Sequence, residues 1–199
     1  MILTLEAIQA RFVELRDLLT RTDHQLSTAI AHHAGTTTPP PPAAPTPSYT
    51  ENKHGDRYPE EANPYHDWLP PRVSRTDVNP PMTGYVFLNG RSTGEIGATR
   101  FDPWAEAMVE RLEELDLPDA IDIHHHVEMK VVIMQIQNGA THGQVIINHA
   151  PCGTRRRSPR PTCDSTLPKV LPTGYSMTVL GTDASGNPFK KTYHGRAPR

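Results

Sequence analysis

Residues 124–128 read His-His-His-Val-Glu, and the apolar run "MKVVIMQIQ" follows at once. A buried helix gains nothing from polar groups at its entrance unless they have partners. Residues able to supply partners lie downstream: Cys152, preceded by Pro151, and Cys163. One imidazole and two thiolates form a zinc donor set, and an ion held by three protein atoms keeps its fourth position for water. The metal lowers the pKa of that water toward neutrality. A carboxyl that does not ligate the ion can then move the water's proton. His126 and Glu128 stand two residues apart, so both side chains can reach one side of the metal. Moving the ligand to His125 would break that spacing, and His124 and His125 read as exposed loop histidines.

Side chains this far apart in sequence meet only if the elements between them fold back. "TGYVFLNG" and "TGEIGATRF" read as two short strands joined at Asn89-Gly90. Asp102 or its neighbour opens a helix, "PWAEAMVERLEEL", where Pro103 suits the first turn and Trp104, Met108 and Leu112 line one face. A second helix runs from about Val127 to Gln137 and stops at Asn138-Gly139. "GQVIINHA" is a strand whose continuous Val-Ile-Ile run predicts burial on both faces, in the middle of a sheet. "STLPKVL" is a short helix, with Pro168 tolerable only in its first turn. "YSMTVLGT" and "PFKKTYHG" are two final strands around the turn "DASGN". The order strand, strand, helix, helix, strand, helix, strand, strand predicts an α/β fold, a mixed β-sheet with packed helices.

The 199 residues suffice for one domain and additional material. Twelve of the 21 prolines fall between residues 34 and 83, so the proline excess is local. Residues 1–33 read as one amphipathic helix, with Leu5, Ile8, Phe12, Leu15, Leu19 and Leu26 on alternating three- and four-residue steps that Thr22 and Ala29 complete as weaker members. So narrow a seam needs a partner, either a second copy of the chain or a delivery protein. Residues 34–67 read as a Pro-rich linker, in which four successive prolines favour an extended segment. The functional domain is expected over 68–199, with its compact core at about 83–195 and "YHDWLPPRV" as an irregular strap.

Net charge is −2, but its distribution is uneven. Residues 101–128 carry nine acids and one arginine, whereas residues 150–199 carry nine bases and two acids. The basic C-terminal quarter suits a polyanion such as nucleic acid; the acidic stretch, including Glu106, Glu110, Glu113 and Glu114, reads as a solvated face turned away from it. Two cysteines exclude a disulfide framework. No stretch reaches the length of a membrane span. The N-terminal residues lack the basic leader and unbroken apolar segment of a conventional signal peptide, so export from a producing cell's cytoplasm would need specialised secretion machinery.

His126-x-Glu128, then Pro151-Cys152 and Cys163, follows the order of the zinc nucleobase deaminase signature, H-x-E…P-C-x-x-C. The departure is the ten-residue insert "GTRRRSPRPT" between the cysteines, where the signature has two residues. Zinc–sulfur bonds of about 2.3 Å set two sulfurs roughly 4 Å apart. A ten-residue loop can close to that distance at modest entropic cost.

The segments "LPPRV", "MTGYVFLNG", "HHVEMKVV", "QVIINHAPCG", "CDSTLPKVLPTGYSMTV" and "YHG" resemble the DddA-like deaminases across about residues 68–195. That bacterial family includes toxins that convert cytosine to uracil in DNA, some of them in double-stranded DNA. The resemblance implies a cytidine-deaminase-like fold and one Zn2+ per chain, held by His126, Cys152 and Cys163. It implies Glu128 as proton shuttle and an insert of variable length between the cysteines. It further implies interbacterial toxicity in a target cell's cytoplasm and an immunity protein that blocks the pocket in the producer.

The expected substrate is therefore cytosine in DNA, with RNA or free nucleosides as the alternative and an inactive zinc-stapled binding module as a third reading. Intact Glu128 speaks against the last, since a structural site has no use for a non-ligating carboxyl. Arg155, Arg156, Arg157 and Arg160 lie between the cysteines and are expected to clamp phosphates at the mouth of the site. Asn148 and His149 are expected to touch sugar or base, and Tyr85 or Phe87 to stack on a base.

Overall fold

The computed structural model describes residues 48–73, 82–154 and 158–199, together with Leu19. The helix expected over residues 1–33 and the first part of the linker otherwise lie outside the described residues, as do Arg155, Arg156 and Arg157.

Residues 48–67 correct the linker assignment, because the folded unit already begins at Pro47 and runs to Arg199. Strands β1 (Tyr49–Glu51) and β2 (Arg57–Pro59) pair antiparallel, and Tyr58 and Leu69 are fully buried. The prolines here bracket short elements: Pro59 closes β2, and Pro64 precedes the 3-10 turn Tyr65–Trp68. Aromatic residues between such breaks are free to pack, which a continuous proline run would prevent.

The main sheet comprises β3 (Thr83–Leu88), β4 (Arg91–Gly97), β5 (His142–Ile147), β6 (Ser176–Thr182) and β7 (Pro188–His194). Its order is β4-β3-β5-β6-β7, with every neighbouring pair antiparallel except the parallel β5–β6. A parallel pair requires a crossover. It is supplied by the connection containing α3 (Cys163–Val170), which joins α1 (Pro103–Glu114) and α2 (Val127–Gln137) as the helices of the fold. The central position of β5 accounts for its continuous apolar run. Val145 and Ile147 join the core beneath the helices, while Ile146 joins Tyr58, Ala62, Leu69 and Leu180 on the opposite face.

Asp102 caps α1 as its sequence position predicts, accepting from the backbone N–H groups of Trp104 and Ala105 at 3.1 and 2.9 Å. Ala105, Met108 and Leu112 form its buried stripe, and Trp104 is half-buried. α3 starts earlier than expected because Thr162 and Ser165 form a capping box. Pro168 consequently lies inside the eight-residue helix, past its first turn, a correction to the expected placement. α2 is buried from Val127 to Gln135, and its first turn lies directly on β3 at Gly84. A Cβ there would stand 2.8 Å from Ile147 and 2.9 Å from Val127, so only glycine lets the helix start approach this closely. Among the described residues, no helix is long and apolar enough to cross a membrane.

Candidate metal and proton-transfer site

Two helix starts and a strand exit converge at one point. His126 is the residue before α2, Cys163 opens α3, and Cys152 lies five residues beyond β5. His126 Nδ1 is 3.8 Å from Cys152 Sγ and 3.2 Å from Cys163 Sγ, and all three donor atoms lie within 4.8 Å of one another. Tetrahedral coordination by one nitrogen and two sulfurs calls for nitrogen–sulfur edges of roughly 3.6 Å. The observed spacings bracket that value. These three residues can hold a metal ion.

The long insert does not push the sulfurs apart, because its base is pinched. The Cys163 N–H donates to Cys152 Sγ at 3.1 Å, and the Asp164 N–H donates to the Cys152 carbonyl at 3.1 Å. Gly153 has φ +94°, and a Cβ on it would meet Thr162 Oγ1 at 2.2 Å. Asp164, one residue past the second thiol, also accepts from Tyr193 Oη at 2.7 Å, fastening the start of α3 to β7. Burial and that bond raise the Tyr193 pKa.

Glu128 follows in the first turn of α2 and is fully buried. Neither carboxyl oxygen makes a hydrogen bond of ordinary geometry among the described residues, and the Cys163 thiol is a polar neighbour that favours its charged form. Burial pushes its pKa up to about 6, against the pull of neighbouring His126. Such a carboxyl can accept and release a proton near neutral pH. Hydrogen bonding from the Cys163 thiol draws Cys152 down to about 4, whereas burial pushes Cys163 well up. Burial opposes charge on His126, but its bond to Cys152 and the charge of Glu128 outweigh that and raise its pKa. His125, packed against the His126 ring at 5.0 Å, is depressed to about 4 chiefly by burial.

The residues expected to touch substrate divide differently. Asn148 is fully buried: its Oδ1 accepts from the Thr83 N–H and its Nδ2 donates to the Pro71 carbonyl, both at 3.0 Å. Its own carbonyl accepts from the Val73 N–H at 3.2 Å. The side chain thus bonds backbone at a position where contact with sugar or base was expected. It binds the strap to β3 four residues before Cys152. Asn148→Ala is expected to cost about 2–3 kcal/mol, since it orphans a buried donor and a buried acceptor; urea denaturation measures the loss. His149 is half-buried, with its carbonyl above Gly181, where a Cβ would lie 2.9 Å away. Tyr85 and Phe87 are not brought to the site. Strand alternation around Val86 turns them to the face opposite the helices, where Tyr85 packs on Trp68 at 5.4 Å and Phe87 on Tyr65 at 4.8 Å. Arg160 is exposed, and its backbone N–H donates to Ser158 Oγ at 3.1 Å.

A buried ion pair beside the site was not singled out in the sequence. Lys130 is fully buried on α2, and its Nζ reaches the Asp102 carboxylate and, at 3.2 Å, Thr99 Oγ1. A lysine inside "VEMKVVIMQ" is the signal that was available, since a cation on a buried helix demands a counter-charge.

A mixed sheet whose helices begin at a histidine and at a thiol, converging on one buried carboxyl, has the deaminase-like α/β fold. The chain belongs to the SCP1.201-like deaminase family, whose family model matches residues 47–197. It is accordingly an enzyme of the hydrolytic deaminase class. None of the curated proteins compared with the chain matches it.

Proposed function

We propose that the protein is a zinc-dependent cytosine deaminase acting on DNA, deployed as a bacterial toxin. The observation that carries the reading is Glu128: a fully buried carboxyl close enough to His126, Cys152 and Cys163, the three converging metal-capable residues, to interact with each. His126, Cys152 and Cys163 would hold the ion. When bound, zinc supplies an activated water for hydrolysis at neutral pH. Glu128 takes the proton of the attacking water and delivers it to ring N3 of cytosine; it then assists transfer to the amino group leaving C4. Water is consumed, ammonia departs and uracil remains. The reacting carbon is inaccessible in a stacked duplex, so the base is extruded or presented on a single strand. His149 and the arginines between the cysteines are the remaining substrate contacts of this reading. The toxin role, an immunity partner and specialised export rest on the DddA-like resemblance.

The test is direct. Purified protein is incubated with labelled single- and double-stranded DNA, RNA and cytidine, and the products are sequenced for C-to-U change. Uracil in DNA is the expected result; absence of uracil from every DNA substrate overturns the reading. Metal dependence is checked separately. Elemental analysis should find one zinc per chain, and Cys152→Ser should lose it. A ligand at a thousandfold excess over its Kd contributes about 4 kcal/mol. Chelation should therefore lower Tm by about 10 °C in a chain of this size.

A further inference from the structure

The loop from Thr99 to Asp102 joins β4 to α1 and is held from beneath. Lys130 grips both ends, through Thr99 Oγ1 at 3.2 Å and through the Asp102 carboxylate. Asp102 also accepts from Thr99 Oγ1 and caps α1. The Lys130 N–H donates to the His126 carbonyl at 3.1 Å, so this anchor and the metal-capable histidine share one helical turn. Between the two fixed ends stand Arg100 and Phe101, both exposed, with Phe101 at 91%. Arg100 is close enough for its charge to act on both His125 and His126. It makes no ion pair among the described residues, although nine acids follow it by residue 128.

Phe101 presents a planar apolar ring to solvent from a loop anchored at both ends, free of any covering side chain. An adjacent cation without a counter-ion presents the complementary chemistry. Together they match one repeat of a nucleic-acid strand: a planar base and the phosphate next to it. We propose that Phe101 stacks on a base neighbouring the target cytosine and that Arg100 holds the adjoining phosphate of the DNA strand. The loop then fixes the strand's path across the candidate site, through a stacking contact that accepts any base at that position. This inference rests on the DNA deaminase reading for the identity of the target.

The experiment uses the full chain and fluorescent DNA oligonucleotides carrying one cytosine, with the base on either side replaced in turn by an abasic spacer. Wild-type protein should bind the intact strand about tenfold more tightly than one of the two spacer strands. Phe101→Ala should lose that discrimination, and Phe101→Trp should keep it. Arg100→Gln should weaken binding to all strands and flatten the salt dependence. Phe101 is so exposed that its removal leaves the fold intact, which circular dichroism verifies. If Phe101→Ala discriminates between intact and spacer strands as wild type does, the proposal is overturned; Phe101-dependent binding of the RNA version alone overturns the assignment to DNA. Uracil formation is scored in parallel. Its absence while binding still depends on Phe101 would remove the deaminase reading and leave the strand contact standing. Uracil formed equally well by Phe101→Ala would do the reverse.

Discussion

A chain carrying Glu128→Gln is expected to fold, to hold its metal and to form no uracil. Glutamine matches glutamate in size but cannot accept and return a proton, so the hydrolytic step loses its carrier. General acid–base groups contribute about 10²–10⁴ in rate, and the expected loss of kcat lies at or beyond the upper end because one carboxyl serves several transfers. The fully buried site also predicts an effect on stability that a surface carboxyl would not show. Burial penalises the charge of Glu128 more than its polar neighbours relieve it. A neutral amide carries a smaller desolvation cost, so metal-free Glu128→Gln should be more stable than metal-free wild type by about 1–3 kcal/mol. Chemical denaturation of both chains at pH 8, in the presence of chelator, measures the difference. A destabilised variant would mean that polar neighbours outweigh the desolvation of the carboxylate, and the raised pKa that suits it to carry a proton would be lost. Activity falling while stability rises is the signature of a residue retained for chemistry at the expense of the fold.

Asp102→Ala should be strongly destabilising. Lys130 has 1% of its side chain exposed and Asp102 has 18%, so the two members of the pair are not equivalent. Removing the carboxylate leaves a buried ammonium without a counter-charge, at a cost of about 3–5 kcal/mol, and strips α1 of its cap. Lys130→Met, by contrast, leaves an aspartate that reaches solvent and still caps a helix; its cost should be about 1 kcal/mol. Burial works to raise the Asp102 pKa, but hydrogen bonds from Lys130 and Thr99 outweigh it and hold the carboxyl below its ordinary range. The sign follows. A depressed folded-state pKa contributes stability that is present above the unfolded value and is lost as pH falls through the folded one. The gap between wild type and Asp102→Asn should therefore narrow in acid. Urea midpoints measured from pH 7 down to pH 3 test both the asymmetry and the slope.

The parts of the fold that were legible in the sequence are those where local pattern and burial agree. α2 matches its expected limits because an apolar run bounded by His126 and Asn138-Gly139 has few other solutions. β5 reads as central because Val145, Ile146 and Ile147 need cover on both sides. His126, Cys152 and Cys163 were legible as candidate metal ligands from residue type and order, since metal chemistry admits few donors, and their donor atoms do come together. The hairpin around Tyr58 was hidden by composition: prolines at element ends look the same in a sequence as prolines in a linker. The backbone role of Asn148 was not legible because a polar residue at a strand exit serves backbone and substrate equally well until Pro71 and Thr83 are placed. Tyr85 and Phe87 show the limit of alternation, which states that two residues share a face without stating which face. Lys130 needed its distant partner at position 102 before its burial made sense.

The knot of bonds joining Cys152 to Cys163 and Asp164 separates the metal donors from whatever is strung between them. Residues beyond that knot can lengthen, shorten or exchange charge while the sulfurs keep their places. Changes to the length or charge of the insert are therefore expected to leave the spacing of the two thiols intact.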